Sequence, residues 1–84
     1  MSRIALVTGG TRGIGAATAR LLKESGYRVA ATYAGRDDTA QAFREATGVA
    51  VYRWDVSDPA ACQGGVEQVE GELGPLDVLV NNAG

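Results

Sequence analysis

The residues with the most chemical potential in this 84-residue chain are Thr8-Gly9-Gly10-Thr11-Arg12-Gly13-Ile14-Gly15. Three of its glycines have distinct uses: Gly9 suits a tight turn, Gly13 a close approach of the main chain to a ligand, and Gly15 the packing of a helix on a strand. An apolar run precedes the cluster and a helical pattern follows it, so its free N–H groups and the positive end of the helix dipole converge on one point. That arrangement binds an anion, and a pyrophosphate in particular. The alternative is a flexible glycine loop with no ligand, and the strand before it and the helix after it favour a dinucleotide. The spacing is G-x-x-x-G-x-G.

Which dinucleotide fits is decided after the second strand. An NAD site usually holds a carboxylate there, where it bonds the ribose hydroxyls and repels a 2′-phosphate. Eighteen residues past Gly15 the position is Tyr33, and the first acid, Asp37, lies four residues further on. Arg12 in the glycine loop and Arg36 beyond Tyr33-Ala34-Gly35 offer charge-assisted bonds to a phosphate, each weighed against a solvated surface arginine. NADPH is the expected cofactor.

Other chemistries are excluded by what the chain lacks. It has no histidine and one cysteine, Cys62, so common zinc and Ser-His sites cannot be built and no internal disulfide exists. No metal is expected. A net charge of −2 without clustered Lys and Arg carries no footprint for nucleic acid or an anionic membrane. Met1-Ser2-Arg3 leads into only four apolar residues, too short for a signal sequence or a spanning helix, which gives a cytoplasmic expectation.

The elements that must position the loop follow from periodicity. Ile4–Thr8 reads as a strand buried on both faces, and Ile14, Ala17, Thr18, Leu21 and Leu22 form the buried stripe expected of the helix after it, ended by Gly26. Arg28–Tyr33 is a second strand, Asp38–Thr47 a second helix closed by Gly48, and Val49–Trp54 a third strand. Asp58 and Pro59 are the N-cap and first residue of a third helix, with Cys62, Val66, Val69 and Leu73 inward. Gly64, Gly65 and Gly71 weaken it. Asp77–Val80 is the fourth strand, before Asn81-Asn82-Ala83-Gly84. The βαβαβαβ order predicts an α/β doubly wound parallel sheet, strand order 3-2-1-4, with the first two helices on one face and the third on the other. Its ligand belongs at the carboxyl ends of the strands, where the order reverses.

With Thr8–Gly15, Asp55-Val56 and Asn81-Asn82-Ala83-Gly84 falling in order, the whole chain resembles the short-chain dehydrogenase/reductase family. Tyr33-Ala34-Gly35, Val51–Val56 and Leu73–Val78 look most like the branch that reduces 3-oxoacyl thioesters such as acetoacetyl-CoA, with reductases of acyl-carrier-protein thioesters next. The resemblance implies an NADP-binding Rossmann half-domain over residues 1–84. Its contacts are Gly9, Gly10, Thr11, Arg12, Gly13, Ile14 and Gly15 in the loop, then Tyr33, Ala34 and Arg36, then Asp55 and Val56 at the adenine, then Asn82, Ala83 and Gly84 at the ribose. Asn81 ties the strand end to its neighbours. Asp55 has an alternative use as a turn residue before the third helix.

The resembled family transfers its proton from a tyrosine in a Tyr-x-x-x-Lys motif, helped by a serine, further along the chain. Tyr27, Tyr33 and Tyr52 are followed four residues on by Ala31, Asp37 and Val56, and Lys23 is the only lysine. No catalytic residue is therefore assigned, and the expectation is the cofactor-binding part of a longer reductase acting on CoA or acyl-carrier-protein thioesters, as a homotetramer. The alternative is a stand-alone dinucleotide-binding or structural module.

Overall fold

The computed structural model describes residues 3–11 and 13–82. The central strand β1 (Ile4–Val7) is followed by α1 (Gly13–Glu24), β2 (Arg28–Tyr33), α2 (Asp37–Thr47), β3 (Ala50–Arg53), α3 (Pro59–Leu73) and β4 (Val78–Val80). The four strands form one parallel sheet in the order β3-β2-β1-β4, as the alternating pattern requires. Every residue of β1 is buried, because helices cover both of its faces.

Two cores result. Ala5, Val7, Val29 and Ala31 face α1 and α2 through Ala19 and Phe43, while Leu6, Ala30, Tyr52 and Trp54 face α3 through Val69. The helix assignment to faces is the expected one. At the far end of the sheet Asp77 closes the frame: its Oδ2 accepts from Ile4 N at 2.8 Å and its own N–H donates to Ile4 O at 2.9 Å.

The face of α1 differs from the expected stripe. Gly15 and Ala19 are its buried residues, with Ala16 and Leu22 packed beside them, whereas Ile14 and Leu21 are 78% and 63% exposed. The helix turns its smallest side chains to the sheet, since these allow the closest backbone approach, and the larger apolar residues are rotated outward. Apolar periodicity alone does not see that preference for small size.

Helix α3 starts as expected, with Asp58 Oδ1 accepting from Ala60 N at 3.0 Å and Ala61 N at 3.3 Å and Pro59 following it. Its glycines are not equivalent. A Cβ on Gly65 would collide with the six-membered ring of Trp54, while one on Gly64 or Gly71 would meet nothing. Gly65 thus lets the helix lie flat on the indole. Tyr52 and Trp54 sit side by side on that face, ring centroids 6.4 Å apart, and Tyr52 Oη donates to Glu72 Oε1 at 2.7 Å. Burial first, and then the Glu72 carboxylate, push the Tyr52 hydroxyl up to about 12, and the same bond lowers Glu72.

Two outcomes are expected. Gly65→Ala overpacks the indole, costing about 1–3 kcal/mol against a helix-propensity gain of about 1 kcal/mol, so urea unfolding should show a net loss with altered Trp54 fluorescence. Gly64→Ala and Gly71→Ala should instead stabilise by up to about 1 kcal/mol. Because the folded-state pKa of Tyr52 is raised from 10.0 to about 12, its contribution is complete below pH 10 and is lost as pH rises toward 12. Unfolding midpoints at about pH 9 and about pH 11.5 should therefore diverge less in Tyr52→Phe than in the parent.

Candidate functional site

The carboxyl ends of β1, β2 and β3 open on two adjoining cavities. The smaller, about 190 Å³, is walled by Gly9, Thr11, Tyr33, Ala34, Gly35, Arg36 and Thr39. The larger, about 460 Å³, is walled by Gly9, Thr32, Tyr33, Ala34, Trp54, Asp55, Val56, Ser57 and Asn81. Gly9, Tyr33 and Ala34 belong to both. The sheet therefore brings together seven residues singled out from the sequence: Gly9, Thr11, Tyr33, Ala34, Arg36, Asp55 and Val56. Arg12, Ala83 and Gly84 lie outside the described residues.

The glycine turn is built on φ angles of 64° at Gly9 and 61° at Gly13, a left-handed region that other residues rarely adopt. Two of its amides are already committed to β2: Gly9 N donates to Thr32 Oγ1 at 3.3 Å and Gly10 N to Thr32 O at 3.2 Å. These hold the turn rather than a ligand. Gly10 is buried against the sheet, where a Cβ would stand 2.8 Å from that of Ala31, so its role is packing and it walls neither cavity. A Cβ on Gly15 would strike the Gly9 carbonyl and stand 2.7 Å from Asn82 Nδ2. Ile14 and Gly13 are exposed beside the turn, at the N-terminus of α1.

Thr8 joins this turn to the segment after β4. Its N–H donates to Val80 O at 3.0 Å, and its Oγ1 accepts from Asn82 N at 2.9 Å. The same hydroxyl has Asn81 Oδ1 at 3.3 Å and Val80 O at 3.4 Å as acceptors. Asn81 thus ties the strand end, as expected, and also walls the larger cavity.

The charged residues beyond β2 form two exposed ion pairs. Arg36 makes a fork with Asp38, Nε to Oδ1 at 3.1 Å and Nη2 to Oδ2 at 2.7 Å, which draws the Asp38 carboxyl below its usual range. Arg53 Nη1 lies 2.9 Å from Asp37 Oδ2, and Tyr33 Oη donates to Asp37 Oδ1 at 2.9 Å, which raises the tyrosine hydroxyl. Neither Asp37 nor Asp38 walls a cavity. Asp55 uses Oδ1 to accept from Ser57 N at 2.9 Å and Ser57 Oγ at 2.6 Å, an Asx turn into α3 that lowers its pKa. The turn use weighed for Asp55 is thus seen, and the same residue stands in the wall of the larger cavity.

Sequence reasoning passed over Thr32, Thr39 and Ser57, since lone hydroxyl residues carry no motif. Trp54 also walls the larger cavity, and its Nε1 is buried without a partner among the described residues. Cys62 is part-buried against Val56, its thiol 3.2 Å from the Val56 carbonyl. Among the described residues no group of side chains has the make-up of a metal centre, and no helix is long and apolar enough to cross a membrane.

This turn on a parallel sheet, with a basic residue past β2, is the signature of a dinucleotide-binding dehydrogenase. The chain belongs to the short-chain dehydrogenase family, whose model matches residues 3–84. It is 64% identical over 84 residues to an acetoacetyl-CoA reductase of Shinella zoogloeoides, covering all of this chain and 35% of that protein. It is 44% identical over 89 residues to a 3-oxoacyl-[acyl-carrier-protein] reductase of Staphylococcus aureus, covering 36% of it. Among solved structures, a short-chain dehydrogenase/reductase of Serratia marcescens superposes with a TM-score of 0.92 at 44% identity, over 98% of this chain and 36% of that one. A blue fluorescent protein from a metagenomic library, in complex with NADPH, gives 0.88 at 45% identity over 98% and 36%. The chain thus spans about a third of the length of the relatives it matches.

Gly15→Ala should displace the Gly9 turn and lower nucleotide affinity at least tenfold by isothermal titration, with the circular dichroism spectrum retained. Unchanged affinity would separate the turn from binding.

Proposed function

We propose that this chain is the cofactor-binding part of an NADPH-dependent reductase that converts a 3-oxoacyl thioester, such as acetoacetyl-CoA, into the 3-hydroxyacyl thioester. The observation that carries the reading is the make-up of the smaller cavity: an arginine stands in its wall and no carboxylate does. A 2′-phosphate is favoured by that charge, whereas the ribose diol of NAD would find no acceptor acid there. The glycine turn supports the same fit, because the cradle between Gly9 and Gly15 exists only while Gly15 has no side chain.

Bound NADPH supplies the hydride. This chain's residues hold and orient it. The start of α1, from Gly13 to Gly15, takes the pyrophosphate, as backbone amides at a helix N-terminus do, beside a turn held by the Gly9 and Gly10 bonds to Thr32. Arg36 leaves one carboxylate partner, Asp38, for the 2′-phosphate. That exchange costs little because the pair is exposed, with side chains 70% and 68% accessible. Asp55 and Val56 border the adenine and Asn82 the ribose, with Arg12, Ala83 and Gly84 completing the contacts. Residues 1–84 act as an NADP-binding half-domain: the sequence has no Tyr-x-x-x-Lys, so the proton donor for the carbonyl lies outside it. The outer edge of β4, where Leu79 is 61% exposed, supports a sheet that continues past these strands. The names of the relatives support a thioester substrate.

Titration by nicotinamide fluorescence should show NADPH binding at least fivefold more tightly than NADH, with Arg36→Gln removing most of the difference. Tighter binding of NADH by the parent chain would refute the cofactor assignment. The 84-residue chain alone should give no oxidation of NADPH with acetoacetyl-CoA.

A further inference from the structure

Asp37 and Asp38 open α2 directly after the turn from β2, yet neither residue walls the smaller cavity. Asp37 is the nearest by chain position, one residue past Arg36 and hydrogen-bonded to Tyr33, and both of those residues wall the cavity. Its carboxylate is engaged from β3. Arg53 stands opposite Tyr33 in the parallel pairing of β2 with β3, and its Nη1 donates to Asp37 Oδ2 at 2.9 Å and Oδ1 at 3.2 Å. Tyr33 on β2 and Arg53 on β3 therefore share the one carboxylate of Asp37, and neither Asp37 nor Arg53 walls the smaller cavity.

A carboxylate at the end of the second strand selects NAD, by accepting from the ribose hydroxyls and repelling a 2′-phosphate, and Asp37, four residues past that position, is the first acid that would take this part if released. We propose that Arg53 is a specificity-determining residue acting at a distance: by retaining Asp37 in an ion pair, it withholds from the nucleotide the acid that would otherwise favour NADH. Arg53 walls neither of the two cavities, so it is a positioning residue and not a contact. The inference rests on the dinucleotide reading and deepens it. It differs from the role of Arg36, which meets the phosphate directly.

The test uses NADPH and NADH at fixed ionic strength, measured by nicotinamide fluorescence on the parent chain, Arg53→Met, Arg53→Lys and the double variant Arg53→Met/Asp37→Asn. Both partners are largely exposed, 56% and 66% for their side chains, so folding is expected to survive, and Arg53→Gln provides a second removal of the charge. Arg53→Met should lower the ratio of NADPH to NADH affinity at least threefold. Arg53→Lys should restore most of it, and the double variant should return the parental ratio, because the freed acid is then gone. A merely structural role for Arg53 would leave the double variant as shifted as the single one. An unchanged ratio in Arg53→Met and Arg53→Gln, or a double variant that stays shifted, overturns the proposal. If the parent binds neither nucleotide, the dinucleotide reading fails instead.

Discussion

Everything at the carboxyl edge of the sheet depends on one hydroxyl. Thr8 closes β1, the strand that both halves of the sheet share, and its side chain spans to the segment after β4 while its neighbours Gly9 and Gly10 are pinned to Thr32 on β2. Thr8 is 7% exposed, so these bonds form away from competing water. A valine of the same shape would keep the packing and the backbone bond to Val80 O but lose the hydroxyl's ties to the segment after β4. The turn is thus held by two threonines, one just past the end of β1 and one on β2, and the glycines supply the shape that the threonines hold.

Much of the fold is legible in the residues. The continuous apolar run Ile4–Val7 reads as a strand covered on both faces, and the strand–helix alternation makes a parallel sheet whose simplest doubly wound order is the one seen. The Asp58-Pro59 start of α3 is equally plain, because a side-chain cap and a preset φ are local properties. Less of α1 could be read. Its inward face is chosen by how near the backbone can come to β1 and β2, a tertiary quantity, and Gly15, Ala16 and Ala19 meet it better than Ile14 and Leu21. Helix α2 begins one residue early, at Asp37, since Arg36 occupies the cap position without a side-chain bond.

The site divides along the same line. The motif residues Gly9, Tyr33, Arg36, Asp55 and Val56 reach the cavities because their positions are fixed by strand ends. Side-chain pairing was not readable: that Asp37 engages β3 and Asp38 engages Arg36 depends on rotamers and on the β2–β3 register, which no spacing rule encodes. The turn use of Asp55 was readable from the chain, but its partner, the Ser57 backbone and hydroxyl, was not.

Tyr33 lines both cavities, and its hydroxyl is tethered to Asp37. It is a party wall with an anchor outside either space. A substitution at this one position alters both cavities together, so neither can be reshaped there without the other.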